Sequence, residues 1–209
     1  MSVRINDTAP DFTAETTEGP ISFHDWIGDS YAILFSHPRD FTPVCTTEFS
    51  AVARLVPEFE KRNTKVLGVS VDSTDDHRKW KADIAQVAGV PANFAIVDDT
   101  SLKVAKAYDM FPADASLPDE RTPAHSATVR TVFLIGPDKK VRLTISYPMS
   151  VGRNFAEILR ALDAVPDGRS DTVAASTSLP EFPAFEHSTG EVVDRFGIFA
   201  EAVTFHARA

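Results

Sequence analysis

Residues 31–49, YAILFSHPRDFTPVCTTEF, carry an apolar run into a helix start across a loop of a few residues. No other stretch constrains the fold as strongly. Ala32 to Phe35 reads as a short buried strand, and Ser36, His37 and Pro38 punctuate its end. Thr42 is a preferred N-cap type, and Pro43 suits a first helical position, where no N–H is needed. Phe49, Val52, Leu55, Val56 and Phe59 then recur at helical spacing, so Cys45 falls in the first turn of the helix. The unpaired N–H groups and the positive end of the dipole favour an anion there, and thus thiolate over thiol. A lone cysteine is by itself most often a small buried hydrophobe. The helix-start position, the hydroxyl of Thr42 and the loop Pro38-Arg39-Asp40-Phe41 argue instead for a reactive thiol.

The string Ser36-His37-Pro38-Arg39-Asp40-Phe41-Thr42-Pro43-Val44-Cys45-Thr46-Thr47-Glu48 resembles, at every position, the active-site segment of the one-cysteine (1-Cys), peroxiredoxin-6-like branch of the AhpC/TSA thiol-specific antioxidant family. Its core is Pro38-x-x-x-Thr42-x-x-Cys45. The resemblance implies that Cys45 is the peroxidatic nucleophile, that Thr42 holds the thiolate and the incoming peroxide by its hydroxyl, and that Pro38 covers the sulfur. It also implies that Arg130 stabilises the thiolate and the developing oxyanion, and that Arg153 is a second arginine near the pocket. Glu48, three residues after Cys45, is positioned either to orient an arginine or to serve the helix dipole. His37 either faces the oxidised sulfur or is a structural loop histidine.

Elsewhere the chain alternates. Val66 to Val71 reads as a strand, Ser73-Thr74-Asp75-Asp76 supplies a cap and an acidic first turn for a helix running to about Ala88, and Phe94 to Val97 is a third strand. A brief helix surrounds Leu102 to Tyr108, and Pro112 to Thr128, polar and proline-rich, reads as a surface loop. Thr131 to Ile135 and the alternating Val141 to Tyr147 form a hairpin about Gly136-Pro137-Asp138-Lys139, and Phe155 to Leu162 is an amphipathic helix. This order implies an α/β mixed sheet with helices on both faces. The resemblance narrows it to a thioredoxin-like fold over residues 1–166, with 167–209 a C-terminal extension. In the family branch that region packs on a partner subunit. Here it is shorter and lacks the Thr-Pro-x-x-Trp stretch expected there, so a homodimer, with larger rings as the alternative, is the expectation.

The net charge of −9 over 209 residues disfavours nucleic acid as a partner. No run approaches the length of a membrane span and no leader is visible, so a cytoplasmic location is expected. With one cysteine in the chain, no intramolecular disulfide can resolve a sulfenic acid, and histidine shows no metal-ligand spacing. The expected activity is reduction of hydrogen peroxide and organic hydroperoxides, with no bound cofactor and with an external thiol as reductant. A non-enzymatic redox sensor or holdase is the rival from another class. A serine phospholipase-like side activity is the third reading, because Gly28-Asp29-Ser30-Tyr31-Ala32, His24 and Asp138 resemble a hydrolase site found in the same branch. Ala32 stands where a nucleophile elbow has its last glycine.

Overall fold

The computed structural model describes residues 3–115 and 126–165. The C-terminal extension expected at 167–209, and any partner contact it makes, lies outside the described residues.

The order of elements is that of a mixed sheet with covering helices. A small antiparallel pair, β1 (Thr13–Ala14) and β2 (Ile21–Ser22), leads through α1 (Phe23–Ile27) into β3 (Tyr31–Ser36). There follow α2 (Pro43–Glu60), β4 (Thr64–Ser70), α3 (Thr74–Ala88), β5 (Ala95–Asp98), α4 (Lys103–Ala107), β6 (Arg130–Ile135), β7 (Val141–Tyr147) and α5 (Phe155–Ala164). The five long strands are ordered β5-β4-β3-β6-β7, parallel from β3 to β5 and antiparallel at β6 and β7.

Strand β3 is the axis of this sheet, and its side chains show why both faces must be covered. Successive side chains on a strand point to opposite faces. Ile33 and Phe35 enter one core with Phe49, Val52 and Phe59 of α2, Trp80 and Ile84 of α3, and Phe155 and Ile158 of α5. Ala32 and Leu34 enter the other, with Phe23 and Ile27 of α1, Val104 of α4, and Tyr108. A continuous apolar run, rather than an alternating one, is what a strand buried on both sides requires.

The topology also fixes where chemistry can occur. The crossover after β3 leads through α2 to β4 on one side, while β6 pairs with β3 on the other, so the loop after β3 opens at a switch point of the sheet. Because β6 is antiparallel and Phe35 pairs with Val132, Arg130 at the start of β6 lies beside the end of β3, where the chain turns toward Cys45.

One expectation is corrected. The end of the segment read as a surface loop is buried: Ser126 and Thr128 are 3% and 0% exposed. Thr128 Oγ1 donates to the His37 carbonyl at 2.9 Å, and Ser36 Oγ donates to the Val129 carbonyl at 2.6 Å. These short polar residues satisfy the backbone where β3 and the approach to β6 meet, a task that composition does not reveal.

The seat of α2 gives a stability prediction. A Cβ on Gly68 of β4 would come within 3.0 and 3.1 Å of Phe49 ring atoms. Phe35, His37, Trp80 and Phe94 surround that ring at centroid distances of 4.5 to 5.6 Å, leaving it no room to swing aside. Gly68→Ala is expected to destabilise the protein by about 1–3 kcal/mol, as overpacking does, measured as a lower urea midpoint at unchanged slope.

Candidate active site

Cys45 is the third residue of α2 and is fully buried, although Pro43 and Val44 before it and Thr47 after it are exposed. The sulfur thus lies shallowly, under the first helical turn. Thr42 occupies the N-cap position with extended backbone angles, but its hydroxyl makes no capping bond. It donates instead to the Arg39 carbonyl at 3.1 Å. The expectation that this hydroxyl holds the sulfur is therefore not met here. The loop carbonyl, two residues before Phe41 with its φ of 57°, competes for the same proton.

Arg130, at the start of β6, reaches the sulfur. Its Nη1 donates to Cys45 Sγ at 3.3 Å and also to Glu48 Oε2, while Nε donates to the Met149 carbonyl at 2.8 Å. Arg153 completes the cluster. Its backbone N–H and Nε donate to Glu48 Oε1 at 2.6 and 2.9 Å, Nη2 to Glu48 Oε2 at 3.1 Å, and Nη1 to the Thr131 carbonyl at 3.1 Å. The guanidinium carbon also lies over the Phe35 and Phe155 rings, 5.4 and 5.2 Å from their centroids. Burial pulls the Arg153 pKa down from its ordinary value, against the Glu48 carboxylate.

Glu48 is thus the hub. Three charged side chains, each at most 4% exposed, meet in one place: two guanidinium groups and one carboxylate. Among the described residues one positive charge remains uncompensated by a carboxylate, and the atom facing it is the sulfur of Cys45. A hollow of about 430 Å³ adjoins the cluster, with Pro43, Val44, Thr47, Ala51 and Gly152 in its wall beside Glu48 and Arg153. A separate hollow of about 480 Å³ around Trp26, Lys65 and Asn93 shares no residue with it.

His37 is not a simple loop residue. It is fully buried, as is His77 of α3, and both rings bond to the Asp40 carboxylate at 2.6 Å. The His37 ring also packs edge-on against Phe49 and tilted against Trp80, at 4.5 and 4.9 Å. Neither Asp40 nor His77 was singled out by sequence. One signal was available: His77, Trp80, Ile84 and Ala88 are the buried positions of α3, at spacings of three and four, so a histidine stood on an apolar face. Pro38 is half-buried just past the end of β3.

The residues of the hydrolase reading are not brought together. Ser30 Oγ donates to Asn63 Oδ1 at 2.9 Å, His24 Nε2 bonds to the Ala9 carbonyl at 2.8 Å, and Asp138 pairs with Arg142 at 2.7 Å. With the serine bonded to an amide and the histidine to a main-chain carbonyl, no base addresses Ser30 among the described residues.

The hub makes a measurable claim. Glu48→Gln keeps shape and removes the charge that holds two buried guanidinium groups. Breaking a buried pair in this way costs about 3–5 kcal/mol, and equilibrium denaturation of the reduced protein should read a loss of that order.

Comparison with known proteins agrees with this geometry. Residues 5–144 match the AhpC/TSA family. The mitochondrial peroxiredoxin PRX1 of Saccharomyces cerevisiae is 51% identical over 164 residues, covering 78% of this chain and 62% of that protein, so the chain spans less than two thirds of that relative's length. Peroxiredoxin-6 of Rattus norvegicus is 48% identical over 174 residues, covering 81% and 76%. Among solved structures, a cysteine-to-serine mutant of the peroxiredoxin 6 of Arenicola marina superposes with a TM-score of 0.71 at 43% identity, covering 78% of this chain and 73% of that one. The yeast mitochondrial 1-Cys peroxiredoxin, solved to explain thiol resolution through the glutathione and thioredoxin systems, also gives 0.71, at 52% identity and covering 78% and 76%. A thioredoxin-like sheet, a single cysteine at the mouth of α2 and an arginine from β6 against its sulfur place the chain in the AhpC/TSA family, among the 1-Cys peroxiredoxins.

Proposed function

We propose that this chain is a thiol-dependent peroxidase that reduces hydrogen peroxide and organic hydroperoxides through Cys45. The observation that carries the reading is the 3.3 Å contact from Arg130 Nη1 to Cys45 Sγ at a helix N-terminus. A fixed positive charge there favours the thiolate, which is the nucleophile, and awaits the charge that develops on the departing oxygen.

The sulfur attacks one peroxide oxygen, an S–O bond forms and the O–O bond breaks. The other oxygen leaves as hydroxide or alkoxide beside Arg130 and takes up a proton to give water or an alcohol. Cys45 is left as a sulfenic acid. With one cysteine in the chain, an external thiol must attack that sulfur to give a mixed disulfide and water, and a second thiol must release Cys45. Resolution by glutathione and thioredoxin systems in the yeast relative supports a small or protein thiol as the partner. In this cycle Glu48 and Arg153 hold Arg130, Pro38 shields the sulfur, and His37 faces the oxidised form. Thr42 serves substrate only if its hydroxyl turns away from the Arg39 carbonyl.

A homodimer in the cytosol is the setting we propose. The mitochondrial name of the yeast relative makes that organelle the alternative compartment. Among the described residues no helix is long and apolar enough to cross a membrane.

Following peroxide loss with excess dithiothreitol tests the activity and separates it from the sensor or holdase reading. Many turnovers per subunit are expected, whereas a single stoichiometric oxidation would mean a sensor. Cys45→Ser should abolish turnover with the fold intact. Arg130→Ala should lower the rate of Cys45 oxidation by about 10²-fold or more, the scale of losing one preorganised oxyanion donor, read by stopped-flow fluorescence.

A further inference from the structure

The peroxidase cycle gives His37 a part but leaves unexplained why Asp40 and His77 are buried against it. The donors and acceptors around the three decide their protonation. His77 Nε2 lies 3.0 Å from the Val97 carbonyl, an acceptor only, so that nitrogen carries a proton. His77 Nδ1 lies 2.6 Å from Asp40 Oδ2, and a carboxylate also only accepts. His37 Nε2 meets the other oxygen, Asp40 Oδ1, at 2.6 Å. The remaining nitrogen, His37 Nδ1, is buried and has no hydrogen-bond partner among the described residues.

Orphaned buried polar atoms are rare and ask for an explanation. The ring that carries the orphan is joined to the reactive centre through packed side chains. The His37 ring touches Phe49, one helical turn after Cys45, and Trp80, whose Nε1 donates to Thr46 Oγ1 at 3.0 Å, the residue next to Cys45. The three residues also have the makings of a cation site, their ligand atoms lying within 4.8 Å of one another. Yet an ion held at about 2.0–2.2 Å by each ligand would need those atoms near 3 Å apart or more, and the two 2.6 Å contacts are hydrogen bonds already made.

We infer that His77 is a positioning residue: protonated on both ring nitrogens, it holds Asp40 ionised, and Asp40 holds His37 as its Nε2–H tautomer. The Nδ1 lone pair of His37 is thereby kept free to take a proton from a group entering the Cys45 site. The charged and titratable groups facing the cluster are few. Asp72 accepts from the Asp40 backbone N–H at 3.0 Å and from Ser70 Oγ at 2.8 Å, and otherwise aromatic rings and the Val97 carbonyl line it. The local electrostatics agree. Burial lowers the His37 pKa, outweighing Asp40. Burial also acts to lower that of His77, but the hydrogen bond and charge of Asp40 outweigh it and hold the pKa above the ordinary value. Burial acts to raise that of Asp40, and the two imidazoles bring it below the usual carboxylate range.

This rests on the peroxidase reading, and it assigns the relay to the reductive half of the cycle. An external thiol gives its proton to His37 Nδ1 and its sulfur attacks the Cys45 sulfenic acid. The S–S bond forms as the S–O bond breaks, and the departing hydroxide takes the proton from His37 to leave as water. Cys45 sulfur is reduced and the incoming sulfur oxidised.

Two measurements test it. Long-range ¹H–¹⁵N spectra of the reduced protein labelled at histidine should show both His77 nitrogens protonated at neutral pH and His37 neutral with its proton on Nε2. A neutral His77, or a proton on His37 Nδ1, overturns the inference. The second uses Asp40→Asn, whose amide turns a donor toward one of the two rings and destroys this proton arrangement. With the half-reactions separated by stopped flow, the thiol step should slow about tenfold or more, the range of a lost acid–base group. A folded Asp40→Asn protein whose thiol step keeps the wild-type rate overturns it. If that variant does not fold, the wild-type spectra decide. Failure of the peroxidase reading is distinct, since it shows as peroxide turnover surviving in Cys45→Ser.

Discussion

One carboxylate organises the reactive end of this molecule. Glu48 faces inward from the first turns of α2 and gathers a guanidinium from β6 and another from the approach to α5, three segments far apart in the chain. Burying three charges is not a route to stability, because desolvation offsets most of the Coulombic gain. The arrangement makes sense as chemistry. Two positive charges and one negative leave a surplus of one beside the Cys45 sulfur, and an anion there closes the balance. The same surplus, already oriented and shielded from water, needs no reorganisation when charge appears on a leaving oxygen.

That balance depends on α2 being held at one height over the sheet, which the aromatic packing does. Phe49, one turn beyond Cys45, is wedged between Phe35 of β3 and Trp80 of α3, with Gly68 of β4 allowing the ring to approach the strand. A shift of α2 by a fraction of an ångström would move the sulfur and Glu48 together relative to Arg130, whose own place is set by the pairing of β6 with β3. Packing and catalysis are therefore coupled through one helix.

The fold was legible where physics is local. Strand β3 announced itself by an apolar run and its punctuation, α2 by Pro43 and helical spacing, α3 by Ser73, whose hydroxyl does accept from the Asp76 N–H. Cys45 and Arg130 came from a motif and a resemblance, and both are in contact. What stayed hidden depends on long-range partners. Glu48 offered only its spacing from Cys45, so its double role could not be told from that of a dipole carboxylate. Thr42 looked like a cap because its type and position fit, but a hydroxyl chooses among nearby acceptors, and the Arg39 carbonyl was invisible beforehand. Asp40 and His77 are 37 residues apart in sequence and meet only because α3 packs beside the loop.

The two buried charge groups differ in kind, and the difference suggests a division of labour around one sulfur. In the Glu48 cluster the two guanidinium groups only donate and the carboxylate oxygens are already engaged by them, so the cluster stabilises negative charge but offers no free base. The His77–Asp40 pair is neutral overall and ends in the unshared lone pair of His37, so it adds little field but can accept one. Reducing a peroxide requires the first property, because an oxyanion is expelled. Clearing a sulfenic acid with an external thiol requires the second, because a thiol must lose its proton and a hydroxide must gain one. In a chain with a single cysteine both half-reactions fall on the same sulfur. On the proposed cycle, Glu48 in the helix that bears that sulfur and His37 just past the strand end that leads to it let one site serve both without a second cysteine in the chain.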